Sequence, residues 1–233
     1  GNITTGAYTG GKGSPLLIGS ITGSLSIDGK TNIVYTTEEA AQNITLQNGS
    51  GSSFQYRTEQ EIKSQIDSML SHAEQVSQIM AAQRTYSVMK YGTYWNGTEN
   101  VEGWYVDQNE KEINLSNLPD GTYYIDGDTF LDKNDIKIKK NPGQTVVFNL
   151  ESTAVNLKRF EVVDAQTGQS VSSANSNGDV YPYASTVIFN MPNAETVNIE
   201  SGIFGVLIAP NATVSIGSTS SGWIVADTVT NPG

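Results

Sequence analysis

The side chains that could carry out acid–base or nucleophilic chemistry are few in this sequence. His72 is the single histidine and there is no cysteine, so thiolate nucleophiles, disulfides and thiolate metal sites are excluded. A catalytic histidine needs a carboxylate that orients it and a nucleophile that it activates, and the residues around His72 supply neither. We expect His72 to be structural or solvated, and the sequence predicts no catalytic residue.

The densest group of carboxylates could bind a metal ion through oxygen. It consists of Asp126, Asp128, Asp132 and Asp135. Carboxylate oxygens bind Ca²⁺, but the spacing departs from the EF-hand pattern of alternating ligands followed by a glycine and a distal glutamate. The sequence favours a solvated turn, and it predicts neither a metal ion nor a cofactor.

Aromatic side chains are concentrated in a polar segment that could bind a ligand. Tyr94, Trp95, Trp104 and Tyr105 stand among asparagine, glycine and glutamate. Flat rings beside amides and carboxylates are typical of faces that bind a sugar or a peptide, because a ring provides apolar area at a low entropy cost. We predict that these four residues form part of a ligand-binding face. The alternative is that the rings are core residues that cover the end of a helix.

Hydroxyl side chains alternate in three short stretches. The pairs are Ser24 with Ser26, Thr213 with Ser215, and Thr228 with Thr230. Residues two apart in a strand belong to the same face, so pairs that were aligned from coil to coil would form a flat hydroxyl ladder of the kind that ice-binding solenoids use. The pairs are few and mix serine with threonine, which favours plain exposed strand faces.

One segment has the periodicity of a long amphipathic helix. Its apolar positions, spaced three or four apart, are Ile62, Ile66, Met69, Ala73, Val76 and Met80, widened by Leu70 and Ile79. Thr58 and Glu61 fit a capping box, in which a hydroxyl and a carboxylate each accept from an unpaired backbone N–H of the first turn. The sequence predicts a helix over about 58–90 that is buried along this stripe.

The rest of the chain consists of short extended pieces separated by glycine, proline or asparagine, such as Thr145–Leu150, Thr196–Ile199 and Thr213–Ile216. Short strands can form a sandwich, a barrel or a solenoid. The predicted helix would be about 45 Å long and requires an elongated partner. We therefore predict a mainly β fold, a β-helix (solenoid) with one long α-helix packed alongside. It would be a single domain over 1–233, with β coils over 1–57 and 91–233.

The composition excludes several classes of partner. The chain has 24 acidic and 13 basic residues and a formal net charge of -11, which leaves no basic surface for nucleic acid. No apolar run approaches the roughly 20 residues that cross a bilayer, so we expect no direct membrane insertion. The charged fraction of 16% is low and Ser, Thr, Asn and Gly are abundant, which favours an extracellular protein. The termini lack an obvious closing element, and we expect a fragment of a longer anchored protein.

The C-terminal region resembles a known family. The stretches GVLIAPNATV at Gly205–Val214 and GWIVA at Gly222–Ala226 resemble the closing motif of the choice-of-anchor A domain of bacterial cell-surface proteins, and VIFNMP at Val187–Pro192 is similar to the strand before it. The order of elements is similar over nearly the whole chain. The sequence departs from the family at Trp223, where related sequences more often carry a small or polar residue.

The resemblance implies a secreted, wall- or membrane-anchored protein, a β-helical shape similar to ice-binding and adhesin solenoids, and no catalytic residues. We therefore expect a non-enzymatic adhesin domain on the bacterial cell surface that binds an extracellular protein or a glycan. Two alternatives stay open. An ice-binding module would require outward threonine and serine pairs stacked in register on a flat face. A carbohydrate-active solenoid enzyme would require two carboxylates, or a carboxylate with a lysine or arginine, that converge in one groove.

Overall fold

The computed structural model describes residues 2–3, 6–8, 15–27, 33–47, 51–83, 85, 90–105, 112–130, 136–171, 181–217 and 221–230. The chain divides into two compact units, Gly1–Ser71 and His72–Gly233. The boundary between them falls inside the long helix. A single domain over 1–233 stays a prediction.

The described part of the first unit is built from short parallel strands and a one-turn helix, α1 (Glu38–Ala41). The strands are β1 (Asn2–Ile3), β2 (Gly6–Tyr8), β3 (Leu16–Ile18), β4 (Ser20–Ile21), β5 (Leu25–Ile27), β6 (Ile33–Thr36), β7 (Ile44–Leu46) and β8 (Ser53–Tyr56). Strands β2, β5 and β7 form one parallel stack, β3, β6 and β8 form another, and β1 pairs with β4. Alternate strand positions face the interior, where Ile18, Leu25, Ile27, Val34 and Ile44 form the core.

The long helix, α2, spans Glu59–Ala81. The predicted capping box is confirmed: the backbone N–H of Glu61 donates to Thr58 Oγ1 (3.2 Å), and that of Thr58 donates to Glu61 Oε2 (2.8 Å). The helix ends earlier than predicted, because Gln83 and Arg84 replace the apolar residues that would extend its buried face. Among the described residues, no helix combines the length and apolar content that a membrane span needs.

The buried face of α2 differs from the predicted stripe. Its central line consists of Ile62, Ile66, Leu70, Ala73, Ser77 and Met80, which are buried or half-buried, and Val76 beside this line is half-buried as predicted. The residues of this line are three or four positions apart, which matches the helical period on average, so they lie along one side of the helix. Met69 and Ile79 are each one residue away from this series, and their side chains are 59% and 64% exposed. The predicted stripe was wrong at these two positions because it counted only apolar residues and left out Ser77.

The second unit continues with strands β9 to β20 and a one-turn helix, α3 (Tyr181–Ala184). The strands are β9 (Lys90–Trp95), β10 (Asn100–Tyr105), β11 (Glu112–Asn114), β12 (Gly121–Asp126), β13 (Ile136–Lys140), β14 (Gln144–Asn149), β15 (Ala154–Leu157), β16 (Phe160–Asp164), β17 (Val187–Asn190), β18 (Thr196–Ile199), β19 (Phe204–Ile216) and β20 (Ser221–Thr230). Strands β9 and β10 form an antiparallel hairpin.

In the described ranges of this unit, parallel strands form three stacks. Strands β11, β13 and β16 form the first stack. The second holds β12, β14, β17 and the N-terminal parts of β19 and β20, and the third holds β15, β18 and the C-terminal parts of β19 and β20. The register shift between Ala209 and Thr213 marks where the last two coils pass from the second stack to the third. Coils that each add a strand to successive stacks define a β-solenoid, which confirms the predicted fold.

The core of the second unit is a column of inward side chains that touch from coil to coil. Val146, Phe148, Val187, Phe189 and Leu207 are buried in it. The rings of Phe148 and Phe189 stack with centroids 5.4 Å apart, because their strands pair in register. This packed interior holds the outward faces of the strands at fixed positions.

Candidate functional site

The third stack of the second unit carries two columns of aligned uncharged side chains, which are polar except for Ala154. In the first column, Ala154 pairs with Thr196, Thr196 with Thr213, and Thr213 with Thr228. In the second column, Asn156 pairs with Asn198, Asn198 with Ser215, and Ser215 with Thr230. We call these eight residues the hydroxyl-amide ladder. Seven of them are exposed and Ser215 is half-buried.

Each strand of the ladder has a valine between its two ladder residues, and the burial of this valine on three of the strands shows that the ladder side chains point outward. Val155, Val197 and Val214, which separate the columns on β15, β18 and β19, are 2%, 1% and 0% exposed. Since successive side chains of a strand point to opposite faces, the residues on both sides of each valine point outward. On β20 the equivalent residue, Val229, is exposed.

The ladder is a two-dimensional array set by backbone geometry. Neighbouring parallel strands lie about 4.8 Å apart, and side chains two positions apart in one strand are separated by about 6.6 Å. Each threonine or serine hydroxyl can donate once and accept twice, and each asparagine amide donates and accepts. The hydroxyls of Thr228 and Thr230 donate within the protein, to Asp227 Oδ2 and to the carbonyl of Val214, and keep their acceptor capacity. None of the eight side chains carries a charge. The array can therefore form many hydrogen bonds at once with a surface that repeats at similar distances.

Acidic residues flank the ladder residues of β18 and β20. Glu195 and Asp227 precede Thr196 and Thr228, Glu200 follows β18, and all three carboxylates belong to exposed residues. Asp227 accepts a hydrogen bond from Thr228 Oγ1 at 3.0 Å. A half-buried lysine, Lys158, follows β15. The rim of the ladder therefore carries carboxylates beside β18 and β20 and the basic residues Lys158 and Arg159 after β15, while its face carries no charge.

The structure brings together hydroxyl pairs that the sequence suggested were plain strand faces. Thr213 with Ser215 and Thr228 with Thr230 lie in register, whereas Ser26 is in the first unit, where it accepts from Gln47 Nε2 at 2.6 Å. The alternating hydroxyl pairs did not include β15 and β18, the strands that complete the ladder. The signal that would have found them is a recurring tripeptide with central valine, which reads AVN, TVN, TVS and TVT at positions 154, 196, 213 and 228.

The predicted aromatic site lies on the hairpin formed by β9 and β10. Trp95 is 63% exposed and pairs with Asn100, and Trp104 pairs with Tyr91. Because paired positions share a face and faces alternate, positions 95 and 104 belong to one face of the hairpin and positions 94 and 105 to the other. The side chains of Tyr94, Trp104 and Tyr105 lie outside the described part of the chain. Their role in binding stays a prediction.

A short loop holds the two strands of the hairpin in register. Asn96 Oδ1 accepts from the backbone N–H groups of Thr98 (2.9 Å) and Glu99 (3.0 Å), and the N–H of Asn96 donates to the carbonyl of Glu99 (3.1 Å). Gly97 has a φ of 102°, which glycine adopts at little cost. The loop thereby keeps Trp95 at the exposed end of the hairpin.

The histidine and aspartates singled out in the sequence occupy separate places. His72 is exposed on α2. Asp128 already accepts from the backbone N–H of Glu151 and from Ser152 Oγ, both at 2.9 Å, so its carboxylate ties together neighbouring coils. Asp132 and Asp135 lie outside the described residues. Within the described ranges, no group of three or more histidine, cysteine, aspartate or glutamate side chains could hold a metal ion.

A buried polar network inside the second unit was not predicted from the sequence. Lys140 is fully buried, its Nζ donates to Thr186 Oγ1 (2.9 Å), and it lies 4.9 Å from the centroid of the Tyr183 ring. Burial lowers the pKa of Lys140 to about 8, although the charges of Asp120 and Asp164 oppose this shift. Lysine is seldom buried, so composition and periodicity gave no signal for this position.

Tyr183 connects this lysine to a carboxylate. Its hydroxyl donates to Asp164 Oδ2. Burial, and then the bond to Asp164, raise the pKa of Tyr183, while the same bond lowers the pKa of Asp164. Lys140 has no exposed surface. A polysaccharide cannot reach its ammonium group, so this network does not form the open groove that a carbohydrate-active enzyme needs.

Comparison with known proteins places the chain in a family. Residues 1–233 match the family described as "Putative Ice-binding-like adhesive domain". No curated protein matches the sequence. Among solved structures, the chain is similar to an ice-binding protein from the Antarctic ascomycete Antarctomyces psychrotrophicus, with 11% identity and a TM-score of 0.32 over 98% of this chain and 91% of that chain.

The family match agrees with part of the resemblance seen in the sequence. It supports an ice-binding-like domain with an adhesive role, whereas the assignment to the choice-of-anchor A domain stays a prediction. The fold itself follows from the parallel register of the strands. On the match over its full length, the chain belongs to the family of ice-binding-like adhesive domains.

Proposed function

We propose that this chain is a non-enzymatic adhesive domain that attaches a larger, anchored protein of the bacterial cell surface to an extracellular ligand through the hydroxyl-amide ladder. The observation that carries this proposal is the alignment of eight uncharged side chains over four successive coils. The ligand classes to be tested are an extracellular protein, a glycan and ice. The resemblance to the choice-of-anchor A domain supports the bacterial, wall- or membrane-anchored location.

The outward column of the first stack provides an internal comparison. There, Glu112 pairs with Lys137 and Lys137 with Glu161, so charges of opposite sign alternate from coil to coil. Such charged columns are typical of strand faces that are simply solvated, since opposite charges on neighbouring strands attract weakly across water. The ladder contains no charge in a chain of net charge -11. This difference supports a contact role for the ladder.

A second contact is proposed at the hairpin because Trp95 is exposed there. An exposed indole beside Asn100 and Glu102 offers apolar area together with hydrogen-bonding groups, which suits a sugar ring or a peptide. Trp104 occupies a position on the same face as Trp95, and we propose it for this contact as predicted from the sequence. Tyr94 and Tyr105 belong to the other face of the hairpin, and their predicted role in binding would require a ligand that also reaches that face.

The proposal is tested by placing a charge in the middle of the ladder. Thr213→Glu puts a carboxylate between Thr196 and Thr228, and we expect it to lower binding to a panel of matrix proteins, glycans and ice at least tenfold, since a charge must then lose water without a partner. The matched control is Thr122→Glu, at an exposed position of β12 in another stack. Equal binding by Thr213→Glu and the parent domain would overturn the proposed function.

The hairpin contact is tested separately by Trp95→Ala. If the indole contacts a ligand, binding should weaken by roughly 2 kcal/mol while the melting temperature stays near that of the parent. A loss of stability with unchanged affinity would instead identify Trp95 as a structural residue.

A further inference from the structure

We infer that the hairpin of β9 and β10 binds an extended basic segment of a partner protein, whose arginine side chains stack on the indole of Trp95 and pair with the carboxylate of Glu102. The inference rests on the proposed function, because it takes the hairpin as a contact surface and names the chemistry of its ligand. The hydroxyl-amide ladder plays no part in it, so the two surfaces can be tested independently.

One face of the hairpin is turned toward water. Paired positions share a face and faces alternate along a strand, so six positions belong to this face, which we call the hairpin face. They are Tyr91, Thr93, Trp95, Asn100, Glu102 and Trp104. The side chains that the structure describes, at positions 93, 95, 100 and 102, are all exposed, whereas the described residues of the opposite face, Gly92, Val101 and Gly103, are half-buried. The hairpin face is therefore the one that a ligand can reach.

The described side chains of the hairpin face are not engaged within the protein. In the ranges that the structure describes, those of Thr93, Trp95, Asn100 and Glu102 form no hydrogen bond, ion pair or ring contact. Trp95 is 63% exposed, although a ring of this size gains much from burial. A large exposed ring beside polar groups that keep their full bonding capacity is typical of the centre of a protein–protein contact.

Charge complementarity selects a cationic ligand. Glu102 on the hairpin face and Glu99 in the adjoining loop are exposed, and no lysine or arginine occupies any of the six positions. Lys90, the one basic residue of the two strands, belongs to the opposite face. The net charge of -11 attracts a cationic partner and repels an anionic one. A neutral glycan would use the rings of the hairpin but not this charge.

The strand pairing places a carboxylate within reach of a cation that lies on Trp95. In antiparallel strands the Cβ atoms of directly opposite residues are about 5 Å apart, and those of diagonal neighbours are about 7 Å apart. Asn100 lies opposite Trp95, and Glu102 is its diagonal neighbour. Tryptophan attracts cations more strongly than the other rings, and the planar, weakly hydrated guanidinium group can stack on it while donating to a carboxylate. Arginine therefore suits this arrangement better than lysine.

The size of the hairpin face favours a peptide over a small cation. Positions 91 and 104, which also carry aromatic residues, are four residues along the strands from the pair of Trp95 and Asn100, a distance of about 13 Å. Side chains four positions apart in an extended peptide have the same separation. Two strands form an open surface that cannot enclose a small ligand, whereas an extended peptide with arginine at alternate positions can contact the whole face.

Binding of synthetic peptides to the purified domain tests the inference. The probes are a short peptide of alternating arginine and serine, the same peptide with glutamine in place of arginine, and a neutral oligosaccharide of glucose. Isothermal titration calorimetry measures the affinity. We expect saturable binding of the arginine peptide alone, with an affinity that falls at least about fivefold between about 0.05 M and about 0.5 M sodium chloride.

Variants of the hairpin face locate the binding site. Trp95→Leu keeps an apolar side chain but removes the ring, and it should lower the affinity for the arginine peptide at least about tenfold. Trp95→Phe, which keeps a smaller ring, should fall between the parent and Trp95→Leu, and it replaces that variant if Trp95→Leu does not fold. Glu102→Gln should lower the affinity about threefold or more. The matched control is Glu200→Gln, which removes the same charge from an exposed position after β18 and should change the affinity by less than about 1.5-fold.

The outcomes separate this inference from the proposed function. Equal binding of the arginine and glutamine peptides overturns the inference, as does equal binding by the parent and the Trp95 variants. Equal losses in Glu102→Gln and Glu200→Gln would show that only the net charge attracts the peptide, and they also overturn it. Binding of the oligosaccharide in place of the arginine peptide would identify a glycan as the ligand of the hairpin. If no peptide binds while Thr213→Glu loses binding to the panel of matrix proteins, glycans and ice, the proposed function stands and only the basic ligand is wrong.

Discussion

Individual buried polar residues attach the C-terminal part of α2 to the coils of the second unit. Asn190 Nδ2 donates to the carbonyl of Ser77 (3.0 Å) and to Asn149 Oδ1 (2.8 Å), and Asn190 Oδ1 accepts from Ser77 Oγ (2.6 Å). Asn149 Nδ2 donates to the carbonyl of Met80 (2.9 Å). Each partner is buried, so every lost bond leaves a group that water cannot satisfy.

Asn190→Ala should therefore destabilise the protein by about 2–4 kcal/mol, because it leaves the hydroxyl of Ser77 and the amide oxygen of Asn149 without their partner. The measurement is chemical denaturation by urea. Asn198→Ala, at an exposed asparagine of the ladder, is the matched control and should change stability by no more than about 0.5 kcal/mol. Similar losses in both variants would show that the buried network is not what stabilises the helix contact.

The lowered pKa of Lys140 predicts that the stability of the protein depends on pH. In the folded protein its pKa is about 8, below the ordinary 10.5 that the unfolded chain keeps. The unfolded state therefore binds more protons between these values, and the free energy of unfolding should rise with pH across this window. Tyr183 acts in the opposite direction above its ordinary pKa of 10.0, since the folded state holds the phenol proton longer.

Urea denaturation from about pH 7 to about pH 11 checks this expectation. Lys140→Met keeps the volume of the side chain and removes the titrating group. The rise in the free energy of unfolding should then disappear, while its fall at high pH, which is due to Tyr183, should remain. A rise of the same size in Lys140→Met would assign the effect to other groups.

At the level of secondary structure elements, α2 is specified by its first turn and by the line of buried positions. The capping box fixes where it begins, and Ile62, at 1% exposure, is the most deeply buried apolar residue of the helix. Position in the helical period, more than hydrophobicity, decides which residues are buried, since Ile79 is equally apolar and exposed.

Ile62→Asp and Ile79→Asp form a matched pair that tests this assignment. We expect Ile62→Asp to cost several kcal/mol or to prevent folding, because it buries a charge without a partner. Ile79→Asp should change stability by about 0.5 kcal/mol or less. Thermal unfolding followed by circular dichroism measures both, and equal losses would contradict the buried face described here.

Two glycines of the second unit test how closely the coils stack. Gly222 lies over Gly205 with a φ of 139°, and a Cβ atom at Gly222 would overlap the carbonyl group of Gly205. Gly222→Ala should therefore cost several kcal/mol by strain and overlap in the last two coils. Gly97 has a φ of 102° but no atom within 4 Å of the added Cβ, so Gly97→Ala should cost only about 1 kcal/mol. Equal melting temperatures for both variants would mean that the coils are not stacked this closely.

For the whole molecule, the charge and the neutral ladder together predict how binding responds to salt. The net charge is -11, and the ladder itself has no charged side chain. Contacts between neutral groups are not screened by ions, whereas contacts between opposite charges weaken strongly as salt increases. If the domain binds its ligand through the ladder, as proposed, the affinity should therefore be insensitive to ionic strength.

We expect the affinity of the domain for the ligand of the ladder to change by less than about twofold between about 0.05 M and about 0.5 M sodium chloride. Adsorption isotherms at several salt concentrations measure this change. A steep loss of binding with salt would indicate that Glu195, Glu200, Asp227 or other acids contact a cationic ligand.

The sequence by itself determined the features that depend on neighbouring residues. The start of α2 follows from Thr58 and Glu61, and strands such as Thr196–Ile199 follow from alternation and the turn residues around them. The many short strands together with one long amphipathic helix were enough to predict the solenoid. These predictions succeeded because capping, alternation and turn formation act over a few residues.

The tertiary structure alone decided what depends on residues far apart in the chain. The ladder exists because Thr196, Thr213 and Thr228 occupy the same register, and loop lengths between the coils set that register. The burial of Ser77 and Lys140 could likewise not be predicted from the sequence, because their partners Asn190 and Thr186 lie 113 and 46 residues away in the chain. A pattern within one strand shows which face a side chain belongs to, but the stacking of coils determines which side chains meet.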